Sequence, residues 1–73
     1  MDLMNTQLGK EYTVLQIDAD DPELEACLFS LGCYSGEPNT VIARRRSSCT
    51  VAIKDGRYNI DSGLAGAIRV EDR

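Results

Sequence analysis

Three cysteines, a cluster of carboxylates and a run of arginines carry the reactive chemistry of this chain. The cysteines are Cys27, Cys33 and Cys49, with five and fifteen residues between them and no C-x-x-C pair. Thiolates are soft ligands that favour transition metals. A closed zinc-type site needs four donors, however, and the chain contains no histidine. Free cysteine also packs as a small hydrophobe. Cys27 falls on the apolar stripe of a predicted helix and Cys49 on the inward face of a predicted strand, so burial is their expected role. The odd number and wide spacing fit reduced thiols in a cytoplasmic protein better than a disulfide framework.

The carboxylates Asp18, Asp20, Asp21 and Glu23 offer oxygen ligands to a hard divalent cation. They lack the spacing of a calcium loop, and helix capping accounts for Asp21 without an ion. Arg44, Arg45 and Arg46 form the one basic run of an otherwise acidic chain. They suit an electrostatic contact with an acidic partner, or a charged strand end that blocks edge pairing. Phe29 is the sole phenylalanine. It lies off the predicted helix stripe, so it is either an aromatic anchor for a partner, with Tyr34 extending that surface, or covered by a barrel that buries both helix sides. No nucleophile–base pair and no phosphate-cradling Gly-rich loop can be assembled, and an enzyme is not expected. No catalytic, cofactor-binding or metal-ligating residue is therefore assigned. Phe29, Tyr34, Arg44, Arg45 and Arg46 are the candidate partner-binding residues.

The chain must position these groups with little material. Its 73 residues make one domain, 1–73, and a core of this size buries only about 60% of the unfolded surface. The net charge of −4 argues against nucleic acid and against an anionic membrane surface. No apolar run approaches the length of a membrane-spanning helix. The start, Met1 to Asn5, has neither the basic nor the apolar region of a signal peptide.

The elements read as follows. Residues 1–8 are a weakly packed leader, and the core is expected over about 8–71. A strand spans 12–18. A helix spans 22–31, capped by Asp21, with Pro22 at its first position, Glu23 and Glu25 near the positive end of its dipole and Gly32 as its stop. Leu24, Cys27, Leu28 and Leu31 form its apolar stripe. A turn with Gly36 and Pro38 leads to a strand over 40–46, a Ser47–Ser48 connection and a strand over 49–54. Asp55–Gly56 reads as a two-residue hairpin turn. A strand over 57–61, a short helical turn near 62–66 and a strand over 67–71 complete the chain. Five short strands with tight turns and one inserted helix predict a mainly β fold, a small barrel that removes its edges by closure.

This order of elements resembles the FeoA family, the small cytosolic component of bacterial ferrous iron uptake. The match is carried by Asp21-Pro22-Glu23-Leu24, by Leu28-Phe29-Ser30-Leu31-Gly32 with Tyr34-Ser35-Gly36, by Val41-Ile42-Ala43-Arg44-Arg45, by Val51-Ala52-Ile53 with Gly56-Arg57-Tyr58-Asn59-Ile60, and by Leu64 to Val70. The Leu-Gly followed by x-x-Gly is its most specific piece. The resemblance implies an SH3-like five-stranded barrel with the helix inserted, related to the C-terminal domain of DtxR-type repressors. It further implies a cytoplasmic modulator that docks on the cytosolic portion of the FeoB-type membrane GTPase transporter, without inserting in the membrane. The wider family is linked to transition metals. An alternative is thus a metal-responsive domain that associates with iron or zinc through the cysteines or the acidic helix start, although no cofactor is required. The chain departs from the pattern at Arg46-Ser47-Ser48, where many members carry a Pro-Leu-Gly-Asp-Pro-like loop.

Overall fold

A computed structural model of the chain describes residues 1–71. Five strands form one antiparallel sheet in the order β4-β3-β2-β1-β5. They are β1 (Glu11–Ile17), β2 (Pro38–Arg44), β3 (Ser48–Ile53), β4 (Gly56–Asp61) and β5 (Ile68–Val70). Helix α1 (Pro22–Leu31) is inserted between β1 and β2, and α2 (Ser62–Ala67) between β4 and β5. The mainly β class and the inserted helix are as the sequence predicts.

The sheet is bent by irregularities in its register. The pairing shifts between Val14 and Gln16 on β1, and between Val41 and Ala43 on β2. Such bulges increase local twist and bend a strand. As a result β1 pairs with β2 through residues 11–13 and turns to β5 through residues 14–17. Period-2 alternation then directs Tyr12 and Val14 of β1, Val41 of β2, Cys49, Val51 and Ile53 of β3, and Ile68 and Val70 of β5 into one core. Asn39 is the one fully buried amide there. Its Nδ2 donates to the Pro38 carbonyl at 2.7 Å and its Oδ1 accepts from the Cys33 thiol at 3.3 Å.

Four local readings are corrected. The leader is not peripheral: Leu3 is fully buried within a 3-10 turn, Leu3–Asn5, that Asp2 caps. Val70 N–H donates to the Met1 carbonyl and Asp2 bridges to Arg69, so the first two residues line the outer side of β5. Strand β2 begins at Pro38 and ends at Arg44, which leaves Arg45 and Arg46 in the loop to β3, where Arg45 N–H donates to the Ser48 carbonyl. The last hairpin turns on Lys54–Asp55, since Ile53 pairs with Gly56. Lys54 takes the positive φ, at 53°. Gly56 is needed because the Tyr58 ring lies across it, where a Cβ would sit. Finally, the apolar stripe of α1 is mostly open: Leu28 is its only buried residue, while Leu24 and Cys27 are exposed. β4 and β5 stand at opposite ends of the sheet order, and α2 packs against both and against the N-terminal turn.

Candidate interaction surface

The C-terminal end of α1 gathers the exposed aromatics. At the start of the helix, Asp21 Oδ1 accepts from Glu23 N–H at 2.9 Å and Pro22 occupies the first turn. At its end, Gly32 adopts φ 96°, and its N–H reaches the carbonyls of Leu28 and Phe29. This left-handed stop reverses the chain. Gly36 and Glu37 then bond to Val14 of β1 through their N–H and C=O groups respectively, at 2.8 and 2.9 Å. The reversal brings Tyr34 back beside Phe29, with ring centroids 4.6 Å apart and planes tilted by 30°. That geometry is within the favourable range for aromatic pairs.

Lys54, in the turn between β3 and β4, latches the pair. Its Nζ donates to the Tyr34 hydroxyl at 3.1 Å, lies 5.3 Å from the ring centroid and sits 3.7 Å from Glu37 Oε1. The Tyr34 hydrogen bond, and then the Glu37 charge, hold the Lys54 ammonium above its ordinary pKa. Its aliphatic stem crosses Gly32, where an added Cβ would stand 2.9 to 3.2 Å from three stem carbons. Gly32 is therefore favoured by its backbone angle, and its missing side chain lets the lysine stem lie close.

Phe29 is 64% exposed, which decides between the two readings of that residue: the barrel does not cover it. Leu15 of β1 is 51% exposed nearby. A groove of about 280 Å³ runs between them, lined by Leu15, Ile17, Glu25, Phe29, Cys33 and Tyr34 among others. An exposed aromatic beside an apolar groove is the kind of surface that anchors protein partners.

The arginines separate. Arg44 faces inward: its Nη2 donates to the Thr6 carbonyl at 2.7 Å, the Leu3 carbonyl at 3.1 Å and Thr6 Oγ1 at 3.2 Å. Its guanidinium ties the N-terminal turn to β2 and leaves the candidate contact set. Its Nε is buried with no hydrogen bond among the described residues, for which we have no physical account. Arg45 and Arg46 are exposed in the β2–β3 loop.

The cysteines also separate. Cys27 is exposed, whereas Cys33 and Cys49 are buried. Burial pushes the Cys33 thiol up to about 11 and raises that of Cys49, where the Arg44 charge partly opposes it. Both thiols are thus held in the neutral form by burial. Among the described residues, no three histidine, cysteine, aspartate or glutamate side chains converge into a metal-holding group. At the acidic helix start Asp21 caps, and Asp18 accepts from Gln16 Nε2 at 2.8 Å and lies 4.0 Å from Arg69.

Sequence reasoning passed over Leu15 and Lys54. The exposed leucine in β1 could have been found, because alternation from Tyr12 and Val14 puts Leu15 on the outward face. The reach of Lys54 to Tyr34, 20 residues away, leaves no local signal.

Comparison with known proteins agrees with this architecture. A family model described as the FeoA domain matches residues 1–72. A manganese-dependent transcriptional repressor superposes with TM-score 0.85 at 29% identity over 96% of this chain. The chain spans only 40% of the length of that repressor. An iron uptake regulatory protein, an FeoA, gives 0.83 at 22% identity, covering 96% of this chain and 93% of that one. An FeoA from Stenotrophomonas maltophilia, complexed with zinc and described as a procaryotic SH3 domain protein, gives 0.83 at 18% identity, covering 97% and 89%. The fold is thus SH3-like. No curated protein matches the chain.

Proposed function

The chain belongs to the FeoA domain family, and from that premise we propose that it is a cytoplasmic, non-enzymatic accessory of ferrous iron uptake. It docks on the cytosolic portion of an FeoB-type membrane transporter and modulates it. The observation that carries this reading is the exposed Phe29 ring, stacked on Tyr34 and held there by Lys54. A ring pre-positioned in this way loses little entropy on binding. Its neighbour in structure from Stenotrophomonas maltophilia is described as a candidate ferrous iron transport activating factor. Among the described residues no helix is long and apolar enough to cross a membrane. Modulation can be no larger than the difference in affinity for the partner's conformational states. Arg45 and Arg46, exposed on their loop, supply a second, electrostatic contact.

The test is a titration of isotope-labelled protein with the isolated GTPase domain of the transporter, read by NMR. Docking predicts shifts centred on Phe29 and Tyr34, with smaller ones at Arg45 and Arg46, all weakened in Phe29→Ala. Absence of shifts at near-millimolar domain would sink direct binding to that domain.

A further inference from the structure

The surface around α1 has an acidic rim as well as an apolar floor, and this constrains what can lie on it. Leu28 is the one residue of α1 sealed against the sheet, and an open groove lies on either side of it. The first is the Leu15–Phe29–Tyr34 groove, with Glu25 on its wall. The second, about 420 Å³, lies between the start of α1 and the start of α2. Its apolar lining is Leu24, Leu64 and Ala67, and its rim carries Asp18, Asp20, Asp21 and Asp61. Leu24 with Leu28, and Glu25 with Phe29, are neighbours at i, i+4 spacing, so the two grooves meet two adjacent rows of the same helix.

Three of the four exposed large hydrophobics among the described residues, Leu15, Leu24 and Phe29, belong to this strip. Five carboxylates line it, and no lysine or arginine does. Asp21 and Asp61 each use Oδ1 to cap a helix, and neither forms an ion pair among the described residues. The cations beside the strip among the described residues include Arg69, 4.0 Å from Asp18 and itself exposed, and Lys54, bonded to the Tyr34 hydroxyl.

We propose that this strip receives a basic amphipathic helical segment of a partner protein, apolar side chains in the grooves and lysine or arginine heads against the rim. Long basic side chains suit such a surface, because their stems pack on apolar atoms while their charged ends reach the carboxylates. An acidic or purely apolar segment would leave the five carboxylates uncompensated. This inference rests on the docking reading for the idea of a protein partner, but it fixes the partner's chemistry, not its identity.

The probe is a synthetic leucine/lysine amphipathic peptide of about 18 residues, about 27 Å long as a helix, against a longest molecular dimension of 28 Å. A leucine/glutamate peptide of the same pattern is the control. The lysine peptide is expected to bind, with NMR shifts at Leu15, Leu24, Phe29 and Leu64, and to weaken about tenfold between 0.05 and ~0.5 M salt as the rim is screened. The double variant D20N/D61N retains a capping side chain at residue 61 and should bind about tenfold more weakly. The control E11Q/D55N, with the same charge change elsewhere, should change binding by less than about twofold. Equal binding of the lysine and glutamate peptides, equal effects of the two double variants, or shifts away from α1 would overturn the proposal. So would a concentration-dependent dimer that excludes the peptide, since a second copy would then cover the strip. Transporter-domain binding without lysine-peptide binding would overturn this inference and leave docking standing; the reverse pattern would do the opposite.

Discussion

Two helical additions flank the same sheet and meet opposite fates. The N-terminal 3-10 turn is three residues long, yet its Leu3 is completely buried and its carbonyls are gripped by Arg44 from β2. Helix α1 is ten residues long and rich in apolar side chains, yet only Leu28 is sealed. Its ends are held by its own signals, the Asp21 cap and the Gly32 stop, and by the Lys54–Tyr34 latch. The three-residue turn, Leu3-Met4-Asn5, completes the core, while the longer apolar helix is left as surface. Apolar content alone does not decide which element a small fold buries. The room available does, and a sheet bent at two bulges closes over one leucine more readily than over a whole helix face.

The contrast breaks most visibly at Leu3. Leu3→Ala should cost about 2–5 kcal/mol, as for other fully buried leucines, seen as a lower urea midpoint; a cost near that of a surface change would show that the turn is not part of the core. Next comes Arg44→Ala, which leaves the Leu3 and Thr6 carbonyls short of a donor. It should cost about 1–3 kcal/mol and speed amide exchange at residues 3–6, while leaving exchange in α1 unchanged. A third probe is Cys33, just past α1 and buried in the lining of the Phe29 groove. Its folded thiol is raised from the ordinary 9.0 to about 11, so its contribution to stability is complete below pH 9 and is lost as pH rises through 11. The urea midpoint should therefore fall more steeply between pH 9 and 11 in the parent protein than in Cys33→Ala. Thiol reagents at pH 7.5 should label Cys27 at once and Cys33 and Cys49 only on unfolding; fast labelling of Cys33 would show a groove open to its floor. The smallest stability effect belongs to Phe29→Ala, expected within about 0.5 kcal/mol of the parent while partner binding drops. A loss of several kcal/mol there would mean that α1 is packed after all.

Much of the fold was legible because its signals are local. Asp21-Pro22 and Gly32 bound the helix at 22–31, since capping and left-handed stops depend on neighbouring residues. The alternation of Cys49, Val51 and Ile53 placed β3's inward face correctly. The hairpin slipped by one residue because Lys54, not Gly56, supplies the left-handed angle, and Gly56 is held instead by the Tyr58 ring two residues on. At the candidate surface, Phe29 beside Tyr34 was readable from a helical wheel and a Gly stop. Arg44 was misread as surface because its acceptors lie about 40 residues away in sequence.

The sequence by itself determined the element order, the ends of α1 and the absence of histidine, since each depends on residue identity and near neighbours. Tertiary structure alone decided which of three arginines turns inward, which of three cysteines stays exposed, and that α1 rests open over two grooves lined with acid. Those outcomes depend on how far the sheet bends and what it can enclose, and the bend arises from pairings between residues distant in sequence.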